Sequence, residues 1–328
     1  MSKLLVFGSA RVDAFLDVPV ERVDKLCRLD TQKCVVEFTY GAKIPLNSVE
    51  FLIGGNGANV SVGTKKLGID SSLVAEVGTG VMADFVKQEL AKQIDTEYVT
   101  QSSGVPQGFG AVIMYQGERT ILSYYPPIQP PFPENICGAE WAYLTSTGED
   151  FVSYYEKVYE WLTSCHAKLV FNPGGRQIAK GLDWLKKYLE LTELLFVNRE
   201  EGEQIVGLSQ THGKEKELLD ALTATGAKRV VMTDGGEGAY AKFDGKYMRA
   251  GVMPVDAYER TGAGDAFSSG CMSALILGKP LEEGLVWGTL ESSSVIGFVG
   301  PQRGLLSEKD LETWLERSKS SGLTVSEF

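Results

Sequence analysis

The sequence predicts an α/β fold: a three-layer, mainly parallel sheet with helices on both faces, carrying a small β-sheet lid. Three features of the 328 residues lead there. Short, continuous Val/Ile/Leu runs alternate with amphipathic helical stretches, the pattern of strands buried on both faces. Two β-rich segments interrupt that rhythm with no helix beside them. Two long apolar helical runs, 264–277 and 281–296, then close the core, with Gly278 ending one and Pro280 starting the next.

Taken in order, the first strand is 4–8, apolar residues ending at a glycine. Residues 58–67 read as a helix after the turn Gly54-Gly55-Asn56-Gly57, 72–76 as the next strand, and 82–92 as a helix. Strands at 142–145, 169–172, 194–197 and 229–233 follow, among helices at 151–164, 179–189, 199–206 and 214–224. The first insertion, 13–52, holds the β-rich run 34–40. The second, 106–126, reads as a hairpin, with strands 109–115 and 119–125 around Gln116-Gly117-Glu118. Neither fits a central parallel strand, so both are expected in a separate small sheet, with surface decoration as the alternative. The core is then 1–12, 53–105 and 127–328. Five prolines between 126 and 133 make a stiff connector back to it.

Composition narrows function by exclusion. A content of 43% hydrophobic and 23% charged residues is ordinary for a globular protein, and the length allows a substantial core. The net charge of −11 argues against nucleic-acid and anionic-membrane partners, while a local pocket could still take a phosphate ligand. No apolar run is long enough to cross a bilayer. Met1-Ser2-Lys3 leads into the first strand without a signal-peptide pattern, so a cytoplasmic location is expected. The five cysteines (Cys27, Cys34, Cys137, Cys165, Cys271) are odd in number and scattered, and are expected as free thiols. With no CxxC pair, and only His166 and His212 far apart, zinc and His-triad chemistry are poor fits.

The most informative segment is Thr261-Gly262-Ala263-Gly264-Asp265-Ala266-Phe267, at the mouth of a helix. Small residues there let the backbone N–H groups of Gly262, Ala263 and Gly264 converge on an anion, which the helix dipole also favours. A carboxylate beside such a pocket repels what the pocket attracts. The conflict is resolved if Asp265 takes a proton from a hydroxyl that attacks a phosphoryl group held there. A Gly-rich turn with Asp in the first helical turn is the plainer alternative.

Other residues carry weaker signals. Asn198 followed by Glu201 has the spacing of a helix capping box. Asp13 lies just past the first strand, where ligand crevices open in α/β sheets, and its carboxylate can accept two hydroxyls. Gly54 and Gly55 permit close approach of a polyol, and the Asn59 amide can donate and accept. Arg176, after Asn172-Pro173-Gly174-Gly175, either reaches a phosphate or decorates the surface. A dinucleotide-dependent dehydrogenase is disfavoured, because Gly8-Ser9-Ala10-Arg11-Val12-Asp13 supplies no GxGxxG after the first strand.

Four segments in one order resemble the signatures of the ribokinase-like (PfkB) carbohydrate kinases. They are Gly54-Gly55-Asn56-Gly57-Ala58-Asn59, Asn198-Arg199-Glu200-Glu201, the run 230–239, and Thr261-Gly262-Ala263-Gly264-Asp265-Ala266-Phe267. The resemblance covers nearly the whole chain. It implies transfer of the ATP γ-phosphoryl group to a sugar hydroxyl, with Asp265 as general base. The alternatives are a nucleoside kinase and a non-catalytic sugar- or nucleotide-binding relative; the intact Gly-Ala-Gly and Asp265 oppose the latter. The resemblance implies that Asn198 and Glu201 hold Mg²⁺ through water, and that Thr233, Gly235, Gly238 and Asn198 lie along the nucleotide. For 233–238 a plain hairpin remains the other reading. By the same resemblance, Asp13, Gly54, Gly55 and Asn59 hold the acceptor, and 292–304 lines the adenine. The insertions act as a lid and as a homodimer contact. A monovalent-cation site beside the motif is also implied, but Glu259 stands where Asp is usual and Arg260 replaces a small residue. Asn56 stands where ribokinases often carry Lys.

Overall fold

Leu4–Phe7 form β1, a strand buried at all four positions, as a central parallel strand between helical layers must be. The computed structural model describes residues 3–22, 24–28, 33–116, 118–133 and 136–328. From β1 the chain departs into β2 (Arg11–Asp17), β3 (Asp24–Arg28), β4 (Lys33–Glu37) and β5 (Ser48–Gly54). It returns as α1 (Asn56–Lys66), β6 (Ser71–Thr79), α2 (Val81–Ala91) and β7 (Val99–Pro106). A second departure gives β8 (Phe109–Tyr115) and β9 (Glu118–Tyr124). The core resumes with β10 (Trp141–Thr145), α3 (Phe151–Cys165), β11 (Lys168–Asn172), the short α4 (Gly175–Ile178) and α5 (Leu182–Leu191). Then come β12 (Thr192–Asn198), α6 (Arg199–Val206), α7 (Glu215–Ala224), β13 (Val230–Thr233), β14 (Ala239–Phe243) and β15 (Lys246–Ala250). The chain closes with α8 (Ala263–Ile276), α9 (Leu281–Val295), α10 (Glu308–Ser321) and β16 (Val325–Glu327).

Ten strands make the main sheet, in the order β16-β15-β14-β13-β12-β11-β10-β1-β6-β7. Pairing is parallel from β7 through β13 and antiparallel from β13 to β16. The period of two within a strand explains the three layers. Leu4 and Val6 pack with Val60, Phe267 and Leu285 of α1, α8 and α9, whereas Leu5 and Phe7 pack with Tyr155, Leu185 and Leu219 of α3, α5 and α7. The helix α3 buries Phe151, Tyr154, Tyr155, Val158, Trp161 and Leu162, a stripe at helical spacing. Helices α8 and α9 approach closely through missing side chains. A Cβ on Gly270 would stand 2.7 Å from the Trp287 carbonyl oxygen, and one on Gly288 would stand 2.8 Å from that of Phe267. This contact fixes α8, and with it Asp265 at its N-terminal end.

A separate four-stranded sheet has the order β5-β2-β8-β9, and β3 with β4 makes a two-stranded hairpin of its own. The 34–40 run therefore pairs with 24–28 and not with the second insertion. Tyr115 pairs with Glu118 across the expected hairpin turn; Gly117 itself, like Met1 and Ser2, lies outside the described residues. The helix expected at 179–189 instead begins at Leu182, because Gly181 at φ 86° precedes it and α4 ends before it. Strands β2, β5, β7, β15 and β16 and helix α10 were not foreseen. The helix α10 buries only Leu311 fully, so it offers almost no apolar stripe to read.

The free-thiol expectation is corrected. Cys137 and Cys165 form a disulfide with Cα atoms 5.3 Å apart, joining the segment before β10 to the last residue of α3. Cys34 is disulfide-bonded as well, Cys271 is free and buried, and the Cys27 side chain lies outside the described residues. The sequence separation of 28 carries no sign of the Cys137–Cys165 pairing. It arises because α3 runs back to the end of the sheet where β10 begins. Among the described residues, no helix is long and apolar enough to cross a membrane.

Candidate active site

Gly262 bends the chain into α8 at φ 79°, a left-handed conformation that side chains disfavour. Asp265 follows in the first helical turn, and it is buried. Two amides from the start of α1 hold it: Asn59 Nδ2 donates to Oδ2 at 2.8 Å, and Asn56 Nδ2 donates to Oδ1 at 3.1 Å. Burial pushes the Asp265 carboxyl up to about 7, against the opposing pull of Asn59, Arg11 and Asn56. A group that titrates near neutrality is suited to taking a proton. The N–H of Ala263 turns back to the Arg260 carbonyl at 3.3 Å. Of the three expected anion-binding donors, that one is therefore engaged. Beside Gly264 there is open space where a side chain would start.

Asn59 spends both of its polar groups inside the protein. Besides holding Asp265, its Oδ1 accepts from Gln302 Nε2 at 3.1 Å, and Gln302 accepts in turn from Gln93 at 3.2 Å. Asn56 Oδ1 accepts from the Ser146 hydroxyl at 3.3 Å. The base is thus oriented from α1, the end of β10 and the loop after α9 together.

Asp13 lies within β2, paired in register with Leu52 of β5 and Gly110 of β8. Its carboxylate fills the space where side chains on Gly54 and Gly110 would be, which accounts for glycine at both positions. Arg11 Nε forms an ion pair with Asp13 at 2.8 Å. Burial still holds the Asp13 carboxyl above its usual range. Arg11 also reaches the Tyr125 hydroxyl at 3.4 Å, and Arg176 stacks on the same ring with its guanidinium carbon 4.0 Å from the centroid. Arg11 and Tyr125 border a recess also lined by Gly8, Ser9 and Thr147 at the end of β1. Gly55 sits at φ 96° against the Ser9 carbonyl, in the turn that starts α1.

Asn198 and Thr233 are register partners at the ends of β12 and β13. Asn198 caps α6: its side chain accepts from the Glu201 N–H at 2.8 Å, while Glu201 Oε2 accepts from the Asn198 N–H at 2.9 Å. Burial raises the Glu201 carboxyl, and its charge adds to the rise of the Asp265 carboxyl. Gly235 opens the β13–β14 turn with open space where a side chain would start, and Gly238 at φ 93° closes that turn against the Ala250 carbonyl. The hairpin into β14 is real. Among the described residues no cluster of three or more His, Cys, Asp or Glu could cage a metal.

Sequence reasoning missed Arg11, Asn56, Ser146 and Gln302 as partners in this region. Asn56 was on the page within the first signature, but its link to Asp265 spans 209 residues and has no local pattern.

The chain matches the model of the pfkB family carbohydrate kinases over residues 21–308. Ribokinase of Staphylococcus aureus is 24% identical over 318 residues, covering 93% of this chain and 96% of that protein. The solved structure of Arabidopsis thaliana ribokinase complexed with ribose and ATP superposes with a TM-score of 0.77 at 20% identity, covering 96% of this chain and 99% of the other. A Burkholderia thailandensis nucleoside kinase in complex with inosine gives 0.75 at 15% identity, covering 97% and 98%. The chain is therefore a member of the pfkB family of carbohydrate kinases, an enzyme of ribokinase-like fold.

Proposed function

We propose that this kinase transfers the γ-phosphoryl group of ATP to a sugar hydroxyl, with Asp265 as general base. The observation that carries the reading is the state of Asp265. It is a buried carboxylate poised near neutrality, held by two amides, in the first turn of a helix entered through Gly262-Ala263-Gly264. In the step itself, Asp265 accepts the proton of the acceptor hydroxyl as that oxygen bonds to the γ-phosphorus. The bond from phosphorus to the β–γ bridging oxygen breaks, and ADP leaves. The free N–H groups at the mouth of α8 stabilise charge on the transferring oxygens.

Other residues take supporting roles. Asn59 and Asn56 orient the base, which assigns Asn59 to Asp265 more than to the acceptor. Asp13 and Arg11 face the acceptor, and the strands β2, β5, β8 and β9 close over it as a lid. Thr233, Gly235, Gly238 and Asn198 lie along the nucleotide. Glu201 and Asn198 would hold Mg²⁺ through water, as this hard cation prefers. When bound, the ion neutralises phosphate charge. Transfer of the γ-phosphoryl group to the ribosyl 5′-hydroxyl of a nucleoside is the second reading, because a nucleoside kinase shares the fold at a TM-score of 0.75.

A screen of ADP release over ribose, fructose, 2-keto-3-deoxygluconate, hexose phosphates and nucleosides tests the proposal. One acceptor should stand out. Asp265→Asn should then lower its turnover on the order of 10²–10⁴-fold while leaving ATP binding nearly intact. Near-normal turnover in that variant would remove Asp265 from the role.

A further inference from the structure

Arg119 belongs to β9, the outer strand of the small sheet, yet its Nε stands 3.5 Å from Oε1 of Glu259 in the core. Glu259 is 4% exposed. The same oxygen accepts from the Thr261 N–H at 2.6 Å and from the Thr261 hydroxyl at 2.5 Å, so it fixes the backbone that leads into Gly262. Glu259 itself is anchored, its N–H donating to the Ile296 carbonyl at 3.1 Å. Its other oxygen, Oε2, is buried with no hydrogen-bond partner among the described residues. A buried carboxylate needs a compensating positive charge. Among the described ion pairs, Arg119 is the cation brought to it.

From this chain of contacts we infer that Arg119 is a positioning residue for phosphoryl transfer. Acting through Glu259 and Thr261, it sets the Gly262–Gly264 backbone, and it does so only when β9 lies in place. The inference rests on the kinase reading above. At 3.5 Å the guanidinium is an ion-pair partner that is not yet a hydrogen-bond donor. The orphaned Oε2 supplies a second acceptor, so a small inward movement of β9 completes a two-pronged Arg–carboxylate pair. A neighbouring pair, Arg260 with Glu118 at 3.4 Å, joins the same two segments, but both partners are exposed. The residues around Glu259 do not fit the monovalent-cation site that the sequence resemblance implies. Oε1 already accepts from two donors and pairs with Arg119, so the positive charge comes from the chain itself.

The test compares Arg119→Gln, Arg119→Lys and Glu118→Gln with the wild-type protein, using the acceptor found by ADP release. Arg119→Gln should lower kcat on the order of 10–100-fold, as expected for a misplaced anion-binding backbone. The KM for ATP should stay within about twofold, and Arg119→Lys should recover part of the rate. Glu118→Gln, which breaks only the exposed pair, should stay within about twofold of wild type. Wild-type turnover should be the same in potassium, sodium and tetramethylammonium chloride at equal ionic strength. Hydrogen exchange at 261–264 should quicken in Arg119→Gln and not in Glu118→Gln. That last measurement needs no acceptor, so a failed kinase reading and a failed role for Arg119 give different results. The inference is overturned by equal kcat in Arg119→Gln and wild type, by a potassium requirement in wild type, or by unchanged exchange at 261–264.

Discussion

The two ends of the site are built over very different distances along the chain. At the end of β12, Asn198 and Glu201 bond to each other across three residues, in a box that would form in almost any helix beginning there. At the mouth of α8, Asp265 is held by Asn59 and Asn56, 206 and 209 residues away, and Asn59 is held by Gln302 across 243. The first arrangement is local and forgiving. The second exists only when α1, β10, α8 and the loop after α9 are all in place. A carboxylate placed at the point where so many elements meet gains burial and orientation together, and burial is what moves its titration to neutrality.

Changing pH is the strongest way to probe that contrast. In the proposed mechanism Asp265 acts as a base only when ionised, and burial pushes its carboxyl up to about 7. Activity should therefore be present above that pH and lost below it, with kcat/KM falling about tenfold for each pH unit on the acid limb. Hydrogen bonds from amides to the ionised form lower a carboxyl pKa. Removing one by Asn59→Ala should move the limb to higher pH, by up to about one unit for a bond worth about 1.4 kcal/mol. A limb that stays put in Asn59→Ala would show that Asn59 does not hold the reacting carboxylate in solution.

A smaller effect is expected at Asp13. The isosteric Asp13→Asn keeps the fit between Gly54 and Gly110 but removes the charge that pairs with Arg11 and that, in the proposed function, accepts hydroxyls of the acceptor. The KM for the acceptor should rise about tenfold, from the loss of a charge-assisted hydrogen bond of about 1.5 kcal/mol, with the KM for ATP unchanged. Hydrogen exchange across 109–124 should slow when the acceptor is added to wild type, and much less in the variant. Absence of that protection in an active preparation would rule out closure of these strands over the acceptor.

What the sequence made legible follows the same division. The parallel strands other than the half-exposed β7, and most helices between them, were readable because burial on both faces leaves continuous apolar runs, as in the fully buried Leu4–Phe7 and Trp141–Thr145. The capping box at Asn198 and the Gly-Ala-Gly entry to α8 were readable because they are consecutive. The partners of Asp265, the Arg11–Asp13 pair and the Cys137–Cys165 bridge were not, since each depends on which elements the topology brings side by side. The last two strands, β15 and β16, and the helix α10 were lost for another reason. Each is half-covered or exposed over much of its length, so the apolar signal is thin.

The smallest expected effect lies at the local end of the site, and it separates two roles that share the same atoms. Glu201 closes the capping box through Oε2 and, in the proposed mechanism, attracts Mg²⁺ through its charge. Glu201→Gln keeps an oxygen that can accept from the Asn198 N–H, so the cap should survive and stability should change by less than about 0.5 kcal/mol. It also removes a charge that burial disfavours, since the Glu201 carboxyl is held above its usual range. The melting temperature should therefore not drop. If the carboxylate serves the metal, the Mg²⁺ concentration for half-maximal rate should rise several-fold, and the loss should be recovered at saturating Mg²⁺. The variant also withdraws a negative charge acting on Asp265, and that charge raises the Asp265 carboxyl. The acid limb of the pH profile should then move slightly to lower pH, opposite to the shift in Asn59→Ala. Lower stability with an unchanged Mg²⁺ requirement would leave Glu201 as a helix cap and nothing more.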